Sequence, residues 1–265
     1  MVPGWRMSGF PPAPGKIGLP SADVHVWLLD LDQPDWLIRR LWKTLDGQER
    51  ARAARFVFST DRAHYTVAHG LVRHVLGSYL DIPPAQVIYG YGRHGKPYVV
   101  MADPPAVLRF NMSRSANLCL CAVTLDREVG VDIERIRVDR DHRGIADRYF
   151  SPAERAALLA LPADQLVRAF YDCWTRKEAH LKATGIGLGV PLNSFDVPVI
   201  PDARSAPAAG RHGPRLMSLP AVPGFAAALA VLGGSCEVTA LSLRPSQPDS
   251  RRRAADPINR AGSGE

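Results

Sequence analysis

Two short apolar runs, Val24-His-Val-Trp-Leu-Leu29 and Val129-Gly-Val-Asp-Ile133, set the strongest limit on how this chain folds. Each reads as a strand, and each opens a segment in which helical patterns come next and short strands come last. Behind the first run, periodicity predicts helices over Trp36–Arg55 and Arg62–Leu80. Strands follow over Gln86–Tyr91, Tyr98–Met101, Ala106–Asn111 and Leu118–Leu125. Behind the second run, helices are predicted over Arg143–Arg148, Pro152–Ala160 and Gln165–Thr184, then strands over Phe195–Val199, Leu216–Leu219, Phe225–Val231 and Val238–Leu243. There is no regular βαβ rhythm, so the fold class is α+β with antiparallel sheets packed by helices. The repeated order points to two similar, pseudo-duplicated α/β subdomains, 21–125 and 126–244. Residues 1–20 and 245–265 are rich in Pro, Gly, Ser and Arg without periodicity, and both are expected to be disordered.

Local signals agree with these elements. Ser151-Pro-Ala-Glu154 is a helix start, with a capping serine, proline at the first helical position and glutamate three residues after the cap. Gly185-Ile-Gly-Leu-Gly189 stops the long helix before it.

Composition narrows the class. With 46% apolar and 22% charged residues, this is an ordinary globular composition. The longest apolar stretch, Phe225–Leu232, is too short to span a bilayer, and the proline-rich start is neither a secretory signal nor an anchor. A cytoplasmic protein without membrane attachment is expected. The four cysteines include no CxxC pair, and no histidine stands at a ligand spacing from them, so they read as buried free thiols. The net charge of +7 divides into +5 on residues 1–125 and +1 on each of 126–245 and 246–265. A basic front half suits a polyanion, whether a phosphorylated cofactor, an acidic protein or nucleic acid.

Five segments carry chemistry, and each has a plainer structural alternative. In Gly130-Val-Asp-Ile-Glu134, alternation on a strand puts Val131 and Ile133 on one face, Asp132 and Glu134 on the other. Two adjacent carboxylates suit a hard cation such as Mg²⁺, or belong to a half-solvated strand with paired acids. In Trp174-Thr-Arg-Lys-Glu-Ala-His-Leu-Lys182, helical spacing lines up Trp174, Glu178 and Lys182. Glu178 there is a third metal carboxylate, Lys182 a phosphate contact; alternatively the two are a surface ion pair. Arg93-His-Gly-Lys-Pro97 combines two cations with a turn at Gly95 and Pro97, and is not a P-loop. Lys96 and Arg93 either meet a phosphate or are solvated. Asn111-Met-Ser-Arg114 ends a strand with donors, Ser113 and Arg114, for a phosphate or for a plain turn. Arg50, Arg52 and Arg55 crowd a helix end, where the dipole alone favours them.

The joint order of RARF, GKP, FNMS, GVDIE and WTRKEAHLK closely resembles the 4′-phosphopantetheinyl transferases of the surfactin-synthetase-activating type. The resemblance spans about Arg50 to Phe195 and extends to the strand Phe225–Val231. It implies two similar halves with the active site in the cleft between them. Asp132, Glu134 and Glu178 are then expected to hold Mg²⁺ against the pyrophosphate of coenzyme A, with Lys182 at the phosphates. Arg52, Arg93, Gly95, Lys96, Pro97, Asn111, Ser113 and Arg114 are expected to cradle the adenosine and its 3′-phosphate. Arg114 stands where the family usually has histidine, so a permanent charge replaces a titratable one. The implied reaction passes the 4′-phosphopantetheine arm to a serine of an apo acyl- or peptidyl-carrier protein and releases 3′,5′-ADP. Glu178 is the first candidate for the base, and the resemblance implies a monomer. The alternatives are another Mg²⁺-dependent phosphoryl or nucleotidyl transferase, or a basic nucleic-acid-binding module. The latter would need exposed aromatics among the basic residues, whereas the front-half aromatics fall at core-like positions.

Overall fold

A computed structural model describes residues 6–9, 17–21, 23–101, 107–186, 189–200, 213–220 and 222–244. Its elements are β1 (Arg6–Gly9), β2 (Val24–Asp30), α1 (Asp35–Trp42), α2 (Gly47–Ala54), α3 (Ser59–Leu80), β3 (Tyr89–Tyr91), β4 (Pro97–Val99), β5 (Leu108–Ser115) and β6 (Leu118–Leu125). The second half adds β7 (Val129–Arg135), α4 (His142–Tyr149), α5 (Pro152–Leu159), α6 (Ala163–Thr184), β8 (Arg215–Ser218), β9 (Phe225–Val231) and β10 (Val238–Arg244).

Strand β2 is buried on both faces because two hydrophobic layers meet it. Trp27 and Leu29 pack with Leu71, Val75 and Leu76 of α3, while Val24, Val26 and Leu28 pack with Val129, Val131 and Ile133 of β7. The alternation read in GVDIE is therefore correct for its apolar face. On the far side of the second sheet, Ala226, Ala228 and Ala230 of β9 meet α6, their small side chains admitting the helix closely. The result is four layers: α1–α3, a five-stranded sheet, a three-stranded sheet, and α4–α6.

The sheet orders are β1-β10-β2-β6-β5 and β7-β9-β8, with β3-β4 a separate hairpin. Within each half, the strand that opens it pairs antiparallel with the third strand of its set, which pairs with the second: β2-β6-β5 and β7-β9-β8. Between opening strand and later strands, each half carries helices of 8, 8 and 22 residues. The middle helix of each has a complete capping box, Asp46 with Glu49 and Ser151 with Glu154.

Three expectations are revised. Strand β10 does not stay with the second half; it runs parallel between β1 and β2 in the first sheet, so that sheet is mixed rather than purely antiparallel. Arg6–Gly9, inside the 1–20 segment expected to be disordered, pairs with β10, and Ile17 packs on the first core. Arg6–Gly9 itself contains no proline, and the edge of β10 supplies its strand hydrogen bonds. Phe195–Val199 is not a strand, because side chains satisfy its backbone. Lys177 binds the Phe195 carbonyl, Arg176 the Pro198 and Val199 carbonyls, and Glu154 the Val197 amide. The 245–265 tail lies outside the described residues. Cys119, Cys121 and Cys173 are buried free thiols and Cys236 is a partly buried one, and among the described residues no helix is long and apolar enough to cross a membrane.

Candidate active site

The two halves also meet along β5 and β7, where polar side chains make the joint. Asn111, Ser113 and Ser115 alternate along β5, so all three face β7. The Asn111 Oδ1 accepts the Val131 amide at 2.9 Å, and Ser115 Oγ accepts the Arg135 amide at 3.0 Å while donating to Glu134 Oε2 at 2.7 Å. Between them, Ser113 Oγ donates to Asp132 Oδ1 at 2.6 Å. Asn111, expected among the cofactor contacts, is thus a buried stitch between the halves.

Helix α6 closes the other side. Gly130, Asp132 and Glu134 share the face of β7 that meets it, and glycine is required at the first position. A Cβ there would lie 2.1 Å from the Ala179 carbonyl oxygen and 2.3 Å from the Ala183 nitrogen. The helix backbone therefore rests directly on the strand, which brings Lys182 to Asp132 with Nζ 2.6 Å from Oδ1 and 3.0 Å from Ser113 Oγ. Gly130 went unremarked in the sequence; its signal is a glycine inside a strand, which marks a close backbone approach.

The carboxylates feel one another. Burial pushes Glu178 above the usual carboxylate range, and the Asp132 charge adds to the shift while Lys182 opposes it. Burial likewise raises Glu134; the Ser115 bond opposes this, and Asp132 adds to it. Asp132 Oδ2 is buried without a hydrogen-bond partner. An orphan carboxylate oxygen beside two carboxylates held partly out of water is donor chemistry suited to a hard divalent cation. The set is not drawn into a closed cage, however. Among the described residues, no three His, Cys, Asp or Glu side chains are arranged to hold a metal ion; Lys182 and Ser113 both bond Asp132 Oδ1, and Ser115 bonds Glu134 Oε2.

Beside this centre opens a cavity of about 770 Å³. Its walls include Arg52, Arg55 and Arg114 together with Tyr65, His69 and Tyr91, and it reaches Gly95, Pro97 and Ser113. Arg114 lies over the Tyr65 ring at 5.5 Å, and Tyr65 stacks on His69 at 4.0 Å. Besides Asn111, two expected members stand elsewhere. Lys96 Nζ binds Glu128 Oε2 at 2.7 Å and the Val129 carbonyl at 3.0 Å, tying the β3–β4 turn to the second half. Arg93 is exposed on that turn, outside the cavity lining. Arg55, Tyr65, His69 and Tyr91 were not singled out as ligand contacts in the sequence. They come from a helix end, a helix and a hairpin that only the fold assembles.

A lysine–carboxylate centre joined through one serine to an arginine-lined cavity offers the positive charge and donors that suit a polyanionic ligand. Residues 33–126 match the model of 4′-phosphopantetheinyl transferase, N-terminal, and residues 128–229 that of the 4′-phosphopantetheinyl transferase superfamily. The chain is 39% identical to 4′-phosphopantetheinyl transferase HetI of a Nostoc species over 84% of its own length and 93% of that protein's. It is 33% identical to a putative 4′-phosphopantetheinyl transferase of a Synechocystis species, covering 69% and 71% of the two chains. With 4′-phosphopantetheinyl transferase Sfp of Bacillus subtilis it shares 30% identity, covering 60% and 68%. The chain belongs to the 4′-phosphopantetheinyl transferase superfamily.

Proposed function

We propose that this enzyme transfers the 4′-phosphopantetheine group of coenzyme A to a serine of an apo acyl- or peptidyl-carrier protein, in the manner of the surfactin-synthetase-activating type. The observation that carries the reading is Ser113. Its hydroxyl lines the arginine-walled cavity and also bonds both Asp132 and Lys182, so a ligand in the cavity extends its phosphates to the carboxylate–lysine centre. Arg52, Arg55 and Arg114 supply the positive wall for the adenosine end and its 3′-phosphate. Lys182 faces the pyrophosphate and neutralises charge that builds as 3′,5′-ADP departs. Mg²⁺, held by Asp132, Glu134 and Glu178, would neutralise charge on the pyrophosphate oxygens. Glu178, with its raised proton affinity, is the group to take the serine proton.

The matched helix lengths, paired capping boxes and common strand order support reading the halves as one duplicated unit with the site in the cleft between them. Because one chain supplies both walls, the reading carries the expectation of a monomer. Unpaired thiols at all four cysteines fit a reducing, cytoplasmic setting. Incubation with coenzyme A, Mg²⁺ and a panel of apo-carrier proteins, followed by intact mass, tests the reading. A mass gain equal to the phosphopantetheine arm is expected, and it is expected to vanish in Asp132→Asn and Glu178→Gln. Transfer of a nucleotidyl group instead would overturn it.

A further inference from the structure

The two strands at the joint carry matching pairs. Ser113 and Ser115 stand two residues apart on β5, Asp132 and Glu134 two apart on β7, and each serine bonds the carboxylate 19 positions further along. The direction of each hydroxyl follows from what it accepts. Ser115 Oγ accepts the Arg135 amide at 3.0 Å, so its one hydrogen goes to Glu134 Oε2 at 2.7 Å. Ser113 Oγ accepts from Lys182 Nζ at 3.0 Å and gives its hydrogen to Asp132 Oδ1 at 2.6 Å. Lys182 meets that same oxygen at 2.6 Å. One oxygen of each carboxylate is therefore engaged within the protein.

Asp132 is left with Oδ2, a buried oxygen without a hydrogen-bond partner in a residue only 2% exposed. Glu134 is left with Oε1. Neither side chain can close both of its oxygens on one ion without competing against Ser113 and Lys182, or against Ser115. That restriction separates the two common hard cations. Ca²⁺ takes about six to eight oxygens in a flexible shell and accepts both oxygens of one carboxylate. Mg²⁺ is smaller and holds to a near-ideal octahedron. The narrow bite of a chelating carboxylate does not fit that octahedron, so single oxygens suit Mg²⁺ best.

We propose that Ser115 is a specificity-determining residue: by holding Glu134 Oε2 it confines that side chain to one available oxygen, which favours Mg²⁺ over Ca²⁺ at the carboxylate centre. This rests on reading Asp132, Glu134 and Glu178 as the Mg²⁺ carboxylates. Ser113 acts in the same sense on Asp132, but it also lines the cavity, whereas Ser115 bonds only Glu134 and the Arg135 amide.

Calorimetric titration of Mg²⁺, and separately of Ca²⁺, into enzyme saturated with coenzyme A tests it. No carrier protein is present, so nothing turns over, and the heats of coenzyme A alone are subtracted. The unmodified enzyme should bind Mg²⁺ more tightly than Ca²⁺. In Ser115→Ala both oxygens of Glu134 become available, and the preference should shrink about tenfold, the scale of one hydrogen bond to a charged group. Ser115→Thr keeps the hydroxyl and should keep the preference. A lost stitch between the halves would weaken both cations together and leave their ratio alone. An unchanged ratio in a folded Ser115→Ala therefore overturns the role of Ser115, as does an equal or inverted preference in the unmodified enzyme; either result leaves the carboxylate reading standing. Where Ser115→Ala does not fold, Ser115→Cys is held to the same expectation, since a thiol is a weak donor of similar shape. If neither cation binds the unmodified enzyme, the carboxylate reading falls and this inference with it.

Discussion

Replacing Gly130 with alanine puts one methyl group where β7 and α6 have no room. The added Cβ would sit 2.1 Å from the Ala179 oxygen, 2.3 Å from the Ala183 nitrogen and 2.9 Å from the Lys182 carbonyl carbon, all backbone atoms that cannot swing aside. Ordinary contact therefore requires strand and helix to part by roughly 1 Å. Overpacking of this kind costs about 1–3 kcal/mol. For a domain of this size that is a fall in melting temperature of roughly 2–12 °C. The larger effect is on rate. The same movement carries Glu178 and Lys182 away from Asp132, and a misplacement of about 1 Å lowers turnover by roughly a hundredfold. Melting by fluorescence and carrier modification by intact mass measure the two effects side by side. Gly47→Ala is the control, since a Cβ there meets nothing within 4 Å; it should melt no lower than the parent and turn over at the same rate. Near-parental rate and melting temperature in Gly130→Ala would show that the close approach does not position the site.

Other expectations follow from the same geometry. Lys177→Met strands the charge of Glu154 in the core and should cost about 3–5 kcal/mol by chemical denaturation, with Glu154→Gln restoring part of the loss when combined. His74 is held neutral by burial and by the charge of Arg40, its pKa lowered from 6.5 to about 4. The stability this contributes is present above pH 6.5 and is lost as the pH falls toward 4, on the order of 3 kcal/mol. Urea midpoints between pH 7 and 4.5 should therefore fall less in His74→Leu than in the parent. Arg114→Ala should raise the KM for coenzyme A roughly 10- to 100-fold and leave dephospho-coenzyme A use unchanged. Equal losses with both substrates would take Arg114 off the 3′-phosphate.

The helices and most strands were legible because their signals are local. The Ser151–Glu154 capping box and the run from Gln165 to Thr184 needed no partner to be read, and α5 and α6 fall there. Strand spacing paired Asp132 with Glu134 and helix spacing paired Glu178 with Lys182, and only the family resemblance joined the two pairs into one centre. Long-range events were not. Nothing near Val238 says that this strand crosses back to the first sheet, since its alternation suits either sheet equally well. Asn111 and Lys96 read as ligand donors because a polar side chain at a strand end or turn looks alike whether it meets a phosphate or the opposite half of the protein. Arg176 and Lys177 hid the irregular course of Phe195–Val199, because charged side chains took over hydrogen bonds that a neighbouring strand would ordinarily supply.

The return of β10 to the first sheet has a consequence for how the protein is made. During synthesis, β2 emerges early, yet one of its two edges stays bare until Val238–Arg244 leaves the ribosome, and β1 has no partner before then. An open edge on a buried apolar strand is a template for wrong pairing, so the nascent chain needs shelter until β10 arrives. It also makes the boundary near residue 127 a poor place to cut for two free-standing domains and a good one for a split enzyme. The fragment 127–265 carries the strand that 1–126 lacks. Expressed separately, the two pieces should each aggregate alone and reassemble into an active pair when produced together.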